Sequence, residues 1–370
     1  MSGVKGRLVG IDESRQIAGE PNPRKHAGDR VGWLYLALTI VVLAALGFWK
    51  WRGSGFDWRL FAGQFGAASP AWIALGLALA MMSYAGRAYR WGVMLGAQRP
   101  DLRFADLFSA TAIGFTATVF FGRPGELVRP YLIASREGLP IASQVAVWFL
   151  ERLLDLVMVI LLFGFALSNL GSGAAKASPR VAGLLQAGGW ALLASGIVFA
   201  VPMALFWLFP AQCEQRLSDS VGFLPEELAR RVRSFVRSFL DGMGFARTEH
   251  GGLWLLFLSA LEWIVIVSCG YAVFRAFPTT SGFSFIDVVI TLGVITIGNA
   301  VQIPGIGGGM QFATVFALTE LYGLPLEGST SVAMALWAVN FLIIVPFGLA
   351  FAFREGLNWH KLRELPAKPI

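Results

Sequence analysis

The sequence predicts an all-α polytopic integral membrane protein, with about six full transmembrane helices and two re-entrant hairpins of opposite orientation, arranged as an inverted repeat. Of its 370 residues, 56% are hydrophobic and only 14% are charged, and the mean hydropathy is +0.63. Soluble domains carry about 25% charged residues. Apolar runs recur at spanning length, and two shorter apolar segments end in turns rich in glycine and proline.

Six apolar runs are each long enough to cross a bilayer, which takes about 20 residues. They are Trp33–Trp49, Ala71–Leu95, Val145–Leu170, Leu184–Phe209, Leu253–Phe277 and Val332–Phe353. Arginines and lysines flank the first and the last run, so both termini are expected in the cytoplasm. This predicts a disordered cytoplasmic tail over residues 1–31, a membrane domain over residues 32–354, and a second cytoplasmic tail over residues 355–370.

The two shorter apolar segments are Phe108–Phe121 and Val288–Ile303, and each runs into a glycine- and proline-rich turn. Because six full spans already return the chain to the cytoplasm, each segment is expected to enter and leave on one side. The first hairpin would then open to the cytoplasm and the second to the outside. Broken segments in corresponding places are typical of inverted-repeat transporters, with binding sites near the midplane. The alternative is two polar loops between about eight plain spans.

A basic, amphipathic connector covers residues 210–251, between the two halves. Within it, residues 225–243 place Leu228, Val232 and Phe235 on one helical face, with arginines mainly off that face. This pattern predicts an interfacial helix on the cytoplasmic leaflet. A helical linker packed on the bundle is the alternative.

Three charged residues lie inside the third apolar run: Glu151, Arg152 and Asp155. Each would cost about 2.5–3.5 kcal/mol near the bilayer centre, so the helix needs partners. Arg152 and Asp155 are three residues apart and can pair along one helix. The nearest further cations in sequence are the arginines of the preceding Gly122–Pro130 segment.

That segment reads GRPGELVRP and contains Arg123, Glu126 and Arg129. Glu126 and Arg129 would share a helical face, and Gly125 would let the backbone approach a neighbour or a ligand. Guanidinium groups form forked hydrogen bonds with phosphate, so the arginines are candidates for binding an anionic headgroup. A buried salt-bridge network that only locks the fold is the alternative.

Other polar residues also fall within apolar runs. Glu262 is deep in the fifth run without a local partner, which makes it a candidate proton or charge site. Arg87 and Arg90 are expected to extend to the interface. Asn299 is expected to join helices or to contact substrate.

Three stretches carry a family resemblance: GRPGELVRPYLIA, VWFLERLLDLVMVI and GNAVQIPGIGGGMQFA. Together they resemble the lysylphosphatidylglycerol synthase transmembrane (flippase-like) family over most of Leu34 to Phe353. The resemblance implies movement of a lipid with a charged or phosphorylated headgroup between leaflets. The first two stretches mark as substrate-binding the residues Arg123, Gly125, Glu126, Arg129, Glu151, Arg152 and Asp155. The weaker third stretch adds Asn299, Pro304, Gly305, Gly307 and Gln311.

Two departures from the family pattern affect what is expected. Gln311 stands where the family has a glutamate, which puts a proton- or cation-coupled step in doubt. The full synthases carry a soluble aminoacyl-transferase domain after the membrane part, whereas this sequence ends shortly after its last apolar run. A stand-alone member without lysyl transfer is therefore expected.

The prediction is a multi-pass lipid flippase of the cytoplasmic membrane. Its substrate would be a phospholipid, an aminoacyl-phospholipid or a polyprenyl phosphate. An integral-membrane transferase is the alternative, with Glu126, Glu151 or Asp155 as general base. A second alternative is an accessory subunit for a glycosyltransferase or lipid-modifying enzyme. The sequence is compatible with a homo-oligomer and with a monomer.

Several other classes of function are not expected. The net charge of +7 is attributed to membrane orientation, so no nucleic-acid partner is expected. Two cysteines and three histidines, the histidines all in polar flanks, predict neither a metal site nor a disulfide framework. No catalytic residue and no cofactor are expected.

Overall fold

The computed structural model describes residues 55–96, 99, 101–169, 186–198, 230, 244, 251–299, 302–303 and 307–356. Several predictions lie outside these residues: both tails, the first apolar run, nearly all of the 210–251 connector, and Pro304 and Gly305. The described helices all belong to the unit that begins at Asp57.

The described chain is almost entirely helical. The first half contains α1 (Trp58–Gly66), α2 (Pro70–Leu95), α3 (Phe104–Phe121), a 3₁₀ turn (Arg123–Leu127), α4 (Val128–Glu137), α5 (Ile141–Ser168) and α6 (186–198). The second half contains α7 (Gly251–Ala276), α8 (Phe285–Gly298), β1 (Gln302–Ile303), β2 (Gly307–Gly308), α9 (Gly309–Phe316), α10 (Leu326–Trp337) and α11 (Val345–Arg354). Short π-helices follow α9 and α10, at Ala317–Leu321 and Ala338–Leu342. Strands β1 and β2 form a two-residue antiparallel ladder.

Four of the described helical stretches are long and apolar enough to cross a membrane: Pro70–Leu95, Phe104–Phe121, Gly251–Ala276 and Leu326–Arg354. The polytopic, all-α prediction is confirmed. The segment predicted as the first hairpin begins at Phe104 rather than at Phe108, and the 18 residues of α3 are long and apolar enough to cross a membrane. Helix α5, with 28 residues, is also long enough to cross and carries the three predicted charges.

Local sequence explains where the helices begin and end. Asp57 caps α1 by accepting hydrogen bonds from the backbone nitrogens of Arg59 and Leu60 at 2.7 and 3.1 Å. Ser284 and Asp287 form a capping box at the start of α8. Gly122 ends α3 with a φ of 69°, a conformation that favours glycine, and so produces the break that the sequence predicts there.

The two halves repeat the same order of elements at a constant interval along the chain. Helices α2 and α7 end at Leu95 and Ala276, α3 and α8 begin at Phe104 and Phe285, and α4 and α9 begin at Val128 and Gly309. Each series then reaches a Gly-Leu-Pro sequence, at residues 138–140 and 323–325. Both glycines have a φ of 64°, and both prolines stand at the N-cap of the next long helix.

Helices α2 and α7 form the seam between the halves and run antiparallel. A Cβ on Gly76 would lie 3.2 Å from the side chain of Val273, so this glycine allows close packing at one end. Farther along, Arg87 meets Glu262, and Arg90 meets Ser259. Along α2 these contacts run from Gly76 to Arg90, whereas along α7 they run from Val273 back to Ser259. The two antiparallel helices therefore pack in one register along the seam.

Two apolar clusters lie toward opposite ends of this seam. One includes Trp91, Leu107 and Leu150, and the other includes Val273, Leu318 and Leu336. Many large apolar side chains point outward instead, such as those of Phe165, Phe257 and Phe312, as expected where lipid replaces water. Between the two clusters lie the charged residues that form the candidate site.

Candidate functional site

A layer of buried charge crosses the bundle where α2, α4, α5 and α7 come together. We call it the charged layer, and it consists of Arg87, Arg90, Arg129, Glu151, Arg152, Asp155 and Glu262. Four arginines face three carboxylates, so the layer has one positive charge in excess.

Arg90 joins three helices within this layer. Its guanidinium lies 3.1 Å from Glu151 and 3.0 Å from Asp155 on α5, and 3.3 Å from Glu262 on α7. It also donates to the Ser259 hydroxyl at 2.8 Å. The Arg90 residue is only 1% exposed, and such a buried guanidinium requires this set of partners because an unpaired charge at that depth is costly.

Glu151 is the carboxylate that the arginines share. It is fully buried, and its oxygens contact Arg90, Arg129 and Arg152, with Arg87 at 3.6 Å. Arg129 reaches it from α4, the short helix that follows the 3₁₀ turn. The guanidinium of Arg129 also stacks 3.9 Å from the centre of the Trp91 ring, a cation–π contact that fixes its plane.

Arg87 connects the layer to the middle of α7. Its Nε lies 2.9 Å from Glu262, and its Nη1 lies 3.5 Å from Asp155. Glu262 has no partner close to it in sequence, as expected, but α2 places two arginines against it across the seam. The expectation that Arg87 and Arg90 extend to the membrane interface was wrong for this reason.

A cavity of about 500 Å³ lies against this layer. Its charged lining residues all come from the first half of the chain: Arg87, Arg123, Glu126, Arg129, Arg152 and Asp155. Its lining from the second half carries no charge among the described residues and is mostly apolar, with Ile266, Leu292, Ile295, Met310 and Phe341. The cavity thus has one charged wall and one largely apolar wall, and its volume falls within the range of small-molecule sites.

Arg123 links the two broken segments at the edge of the cavity. Its Nη1 lies 2.7 Å from the Glu126 carboxylate, and its Nη2 donates to the backbone carbonyl of Asn299 at 2.7 Å. Arg123 belongs to the 3₁₀ turn of the first half, and Asn299 caps the end of α8 in the second half. Glu126 and Arg129 were predicted to share a helical face, but they contact different partners, Arg123 and Glu151.

The second π-helix brings a further polar group to the cavity. Asn340 lies within it and lines the cavity, and the Tyr84 hydroxyl donates to its backbone carbonyl. π-Helices of this kind recur at functional sites because they redirect side chains within a helix. Neither residue was among the sequence-predicted binding residues.

The structure brings together most of the predicted site residues. Arg123, Glu126, Arg129, Arg152, Asp155 and Asn299 line the cavity, and Glu151 lies directly behind it. The predicted Arg152–Asp155 pair is present at 3.2 Å. Gly125 packs against the backbone of Ala117 and Thr118, so the missing side chain allows the turn to approach α3 closely.

Two further predicted binding residues from the third stretch are described, and neither is among the described residues that line the cavity. Gly307 lies in β2, and Gln311 lies on α9 outside the cavity lining. Arg87 and Arg90 are the principal residues that the prediction missed. Their signal was present in the sequence, because two arginines three residues apart share one face of an otherwise apolar helix and both must find partners there.

Comparison with protein-family models matches residues 33–348 to the lysylphosphatidylglycerol synthase TM region. The chain belongs to this family. A search of curated proteins finds no match. As a lysylphosphatidylglycerol synthase TM region, the chain is a multi-pass membrane protein with a lipid-related function.

Proposed function

We propose that this protein moves a lipid with an anionic or phosphorylated headgroup between the leaflets of the cytoplasmic membrane. The substrate would be a phospholipid, an aminoacyl-phospholipid or a polyprenyl phosphate. The headgroup enters the cavity and meets the arginines of the first half, while the acyl or prenyl chains stay along the apolar wall and in the surrounding lipid.

The cavity with two unlike walls is the observation that supports this proposal. A lipid has one charged end and long apolar chains, and a cavity charged on one side and apolar on the other matches both parts. A soluble anion would not need the apolar wall, and a purely structural salt-bridge network would not need a cavity of about 500 Å³ beside it.

The charged layer would serve to position the arginines before the headgroup arrives. Glu151 holds Arg129 in place from behind, and Trp91 holds the plane of its guanidinium. Arginines fixed in this way lose little side-chain entropy on binding a phosphate, so binding is stronger than to free side chains. The ion-pair network would then hold the arginines of the binding site in the geometry that binds the headgroup.

The repeat of the two halves supports an inverted-repeat transporter with two hairpins acting as gates. Equivalent helices α2 and α7 run antiparallel, and the two broken segments meet through Arg123 and Asn299. In such transporters the substrate site lies where the breaks meet, and access alternates as one part moves against the other. We propose that this contact closes the path and that it opens during transport.

Cysteines introduced at these two positions test the gate. In a background with Cys213 and Cys269 replaced by alanine, a bifunctional thiol reagent should join Arg123→Cys to Asn299→Cys. Joining should stop the transport that the unjoined double-cysteine variant retains, and cleavage of the reagent by reduction should restore that variant's level. Unchanged transport in the fully cross-linked protein would exclude a gate at this contact.

Leaflet exchange in liposomes tests the function itself. The purified protein is reconstituted with labelled phosphatidylglycerol, its aminoacylated form or a polyprenyl phosphate, and the leaflet distribution is followed over time. One lipid should exchange faster than in empty vesicles and be recovered unchanged. Arg129→Ala and Arg152→Ala should abolish exchange, whereas Arg99→Ala, a variant outside the cavity lining, should not.

The same assay separates the alternatives. If a lipid is recovered with altered mass, the protein is a membrane transferase and the carboxylates of the layer are candidate bases. If exchange requires a glycosyltransferase or lipid-modifying enzyme, the accessory role applies, and residues 225–243 are the proposed docking segment. Reporter fusions at each end test the proposed cytoplasmic location of both termini.

A further inference from the structure

The site has a charge balance that discriminates among the candidate lipids. Within the proposed function, on which this inference rests, we infer that the cavity selects headgroups with a net charge of −1 and no ammonium group, and rejects aminoacylated phospholipids. A phosphodiester that carries only hydroxyl groups, such as phosphatidylglycerol, is the chemical class that fits.

The positive charge in excess sets the preferred charge of the ligand. The charged layer contains four arginines and three carboxylates, and the neighbouring Arg123–Glu126 pair is neutral. A single phosphodiester anion therefore brings the whole site to neutrality. Buried charge in a membrane is most stable when it is balanced, so one negative charge from the ligand is favoured over none and over two.

The carboxylates that line the cavity already have arginine partners. Glu126 is bound by Arg123 at 2.7 Å, and Asp155 by Arg90 and Arg152 at 3.0 and 3.2 Å. An ammonium group entering the cavity could pair with either carboxylate only by displacing an arginine. The displaced guanidinium would then be left without its partner in the same confined space, which is unfavourable.

The lining also supplies hydrogen-bond donors that lack acceptors. Nη1 of Arg129 and Nε1 of Trp263 are buried and have no hydrogen-bond partner, and both residues line the cavity. Nε of Arg152 is also buried and without a hydrogen-bond partner. Unsatisfied buried donors are costly, and a phosphate group is made of acceptors. The single unpartnered acceptor on the lining, Oδ1 of Asn299 among the described residues, suits a hydroxyl group.

An aminoacylated phospholipid has the opposite net charge and brings additional hydrogen-bond donors. A lysyl ester adds two ammonium groups to the −1 phosphate and gives the headgroup a net charge of +1 at neutral pH. It would raise the positive excess of the site rather than cancel it, and it would bring donors to a wall that already presents donors. The chain would thus handle a different lipid from the one after which its family is named.

Competitive binding tests this inference. The protein in detergent micelles is mixed with equal amounts of phosphatidylglycerol and lysylphosphatidylglycerol, and native mass spectrometry gives the ratio of the two bound forms. We expect a ratio of at least about ten, equivalent to 1.4 kcal/mol. A ratio near or below one would overturn the inference.

Two substitutions with opposite effects on charge provide the decisive comparison. Arg152→Gln removes the positive excess and should lower the ratio several-fold. Asp155→Asn adds to the excess and should raise it. Structural damage would move both ratios the same way, and that outcome, or no change in either, would contradict the inference. Arg99→Gln serves as the control with an unchanged ratio, because Arg99 does not line the cavity.

Leaflet exchange distinguishes this inference from the function on which it rests. Selective binding of phosphatidylglycerol without exchange of any lipid would refute transport and leave the selectivity standing. Equal exchange of both lipids would refute the selectivity and leave transport standing.

Discussion

Replacing Glu151 with glutamine should destabilise the protein more than any other single loss of charge among the described residues. The glutamine has nearly the same shape but no charge, so the variant isolates the electrostatic role. Glu151 is fully buried, and four arginines lie within 3.6 Å of it, from α2, α4 and its own helix. Without its charge, the layer would hold four arginines against two carboxylates.

The magnitude follows from burial. Removing one partner of a buried ion pair costs about 3–5 kcal/mol, because the remaining charge has no counterion. Exposed pairs contribute only about 0.2–1 kcal/mol. The control is Asp101→Asn, since Asp101 pairs with Arg99 at 3.3 Å and its side chain is 73% exposed. We therefore expect a loss of about 3–5 kcal/mol for Glu151→Gln and less than about 1 kcal/mol for the control.

Equilibrium unfolding in mixed micelles, followed by tryptophan fluorescence, measures both values. A second variant, Glu151→Gln combined with Arg129→Gln, should recover part of the loss because it removes one of the unpaired arginines. If Glu151→Gln costs less than about 1 kcal/mol, the charged layer is not a desolvated, mutually dependent network. If Arg129→Gln costs as much in the Glu151→Gln background as it does alone, the Arg129–Glu151 contact does not contribute to stability.

Two pairs of glycines give further predictions, each measured as the shift in free energy of unfolding. Gly125→Ala should cost about 1–3 kcal/mol, since its Cβ would overlap the backbone of Ala117, whereas Gly86→Ala in open space within α2 should stabilise by about 0.5–1 kcal/mol. Equal costs for the two would show that the close approach at Gly125 is unimportant. Gly138→Ala and Gly323→Ala should each cost about 1–2 kcal/mol, because both have a φ of 64°. A loss at only one of them would argue against equivalent turns in the two halves.

The sequence predicts best where partners are close along the chain. Arg152 and Asp155 lie one turn apart on the same helix, and that pair is present. The partners of Arg90 on α5 are 61 and 65 residues away, and its partner Ser259 on α7 is 169 residues away, so these contacts depend on helix packing rather than on local spacing. Sequence spacing alone therefore predicts that the two arginines of α2 extend to the membrane interface. However, two arginines on one face of an apolar helix already require counterions inside the bundle.

The separation of Glu126 from Arg129 has a local cause. A shared face requires one continuous α-helix, but residues Arg123–Leu127 form a 3₁₀ turn. With about three residues per turn, this places Glu126 directly over Arg123. Arg129 comes after the turn, in the first residues of α4, and points toward α5 instead. The prolines and glycines predicted a break here, but they did not predict the geometry of the break.

The seam between α2 and α7 limits how the two halves can move. Arg87 and Glu262 face each other near its centre, and Arg90 and Ser259 face each other beside them. A slide of one helical turn, about 5.4 Å, would set Arg87 opposite Leu258 or Ile266 and break its 2.9 Å contact with Glu262, which is buried. A small tilt about this point would stretch the same contacts very little. The contacts across the seam therefore resist shear between the halves more strongly than they resist a small tilt.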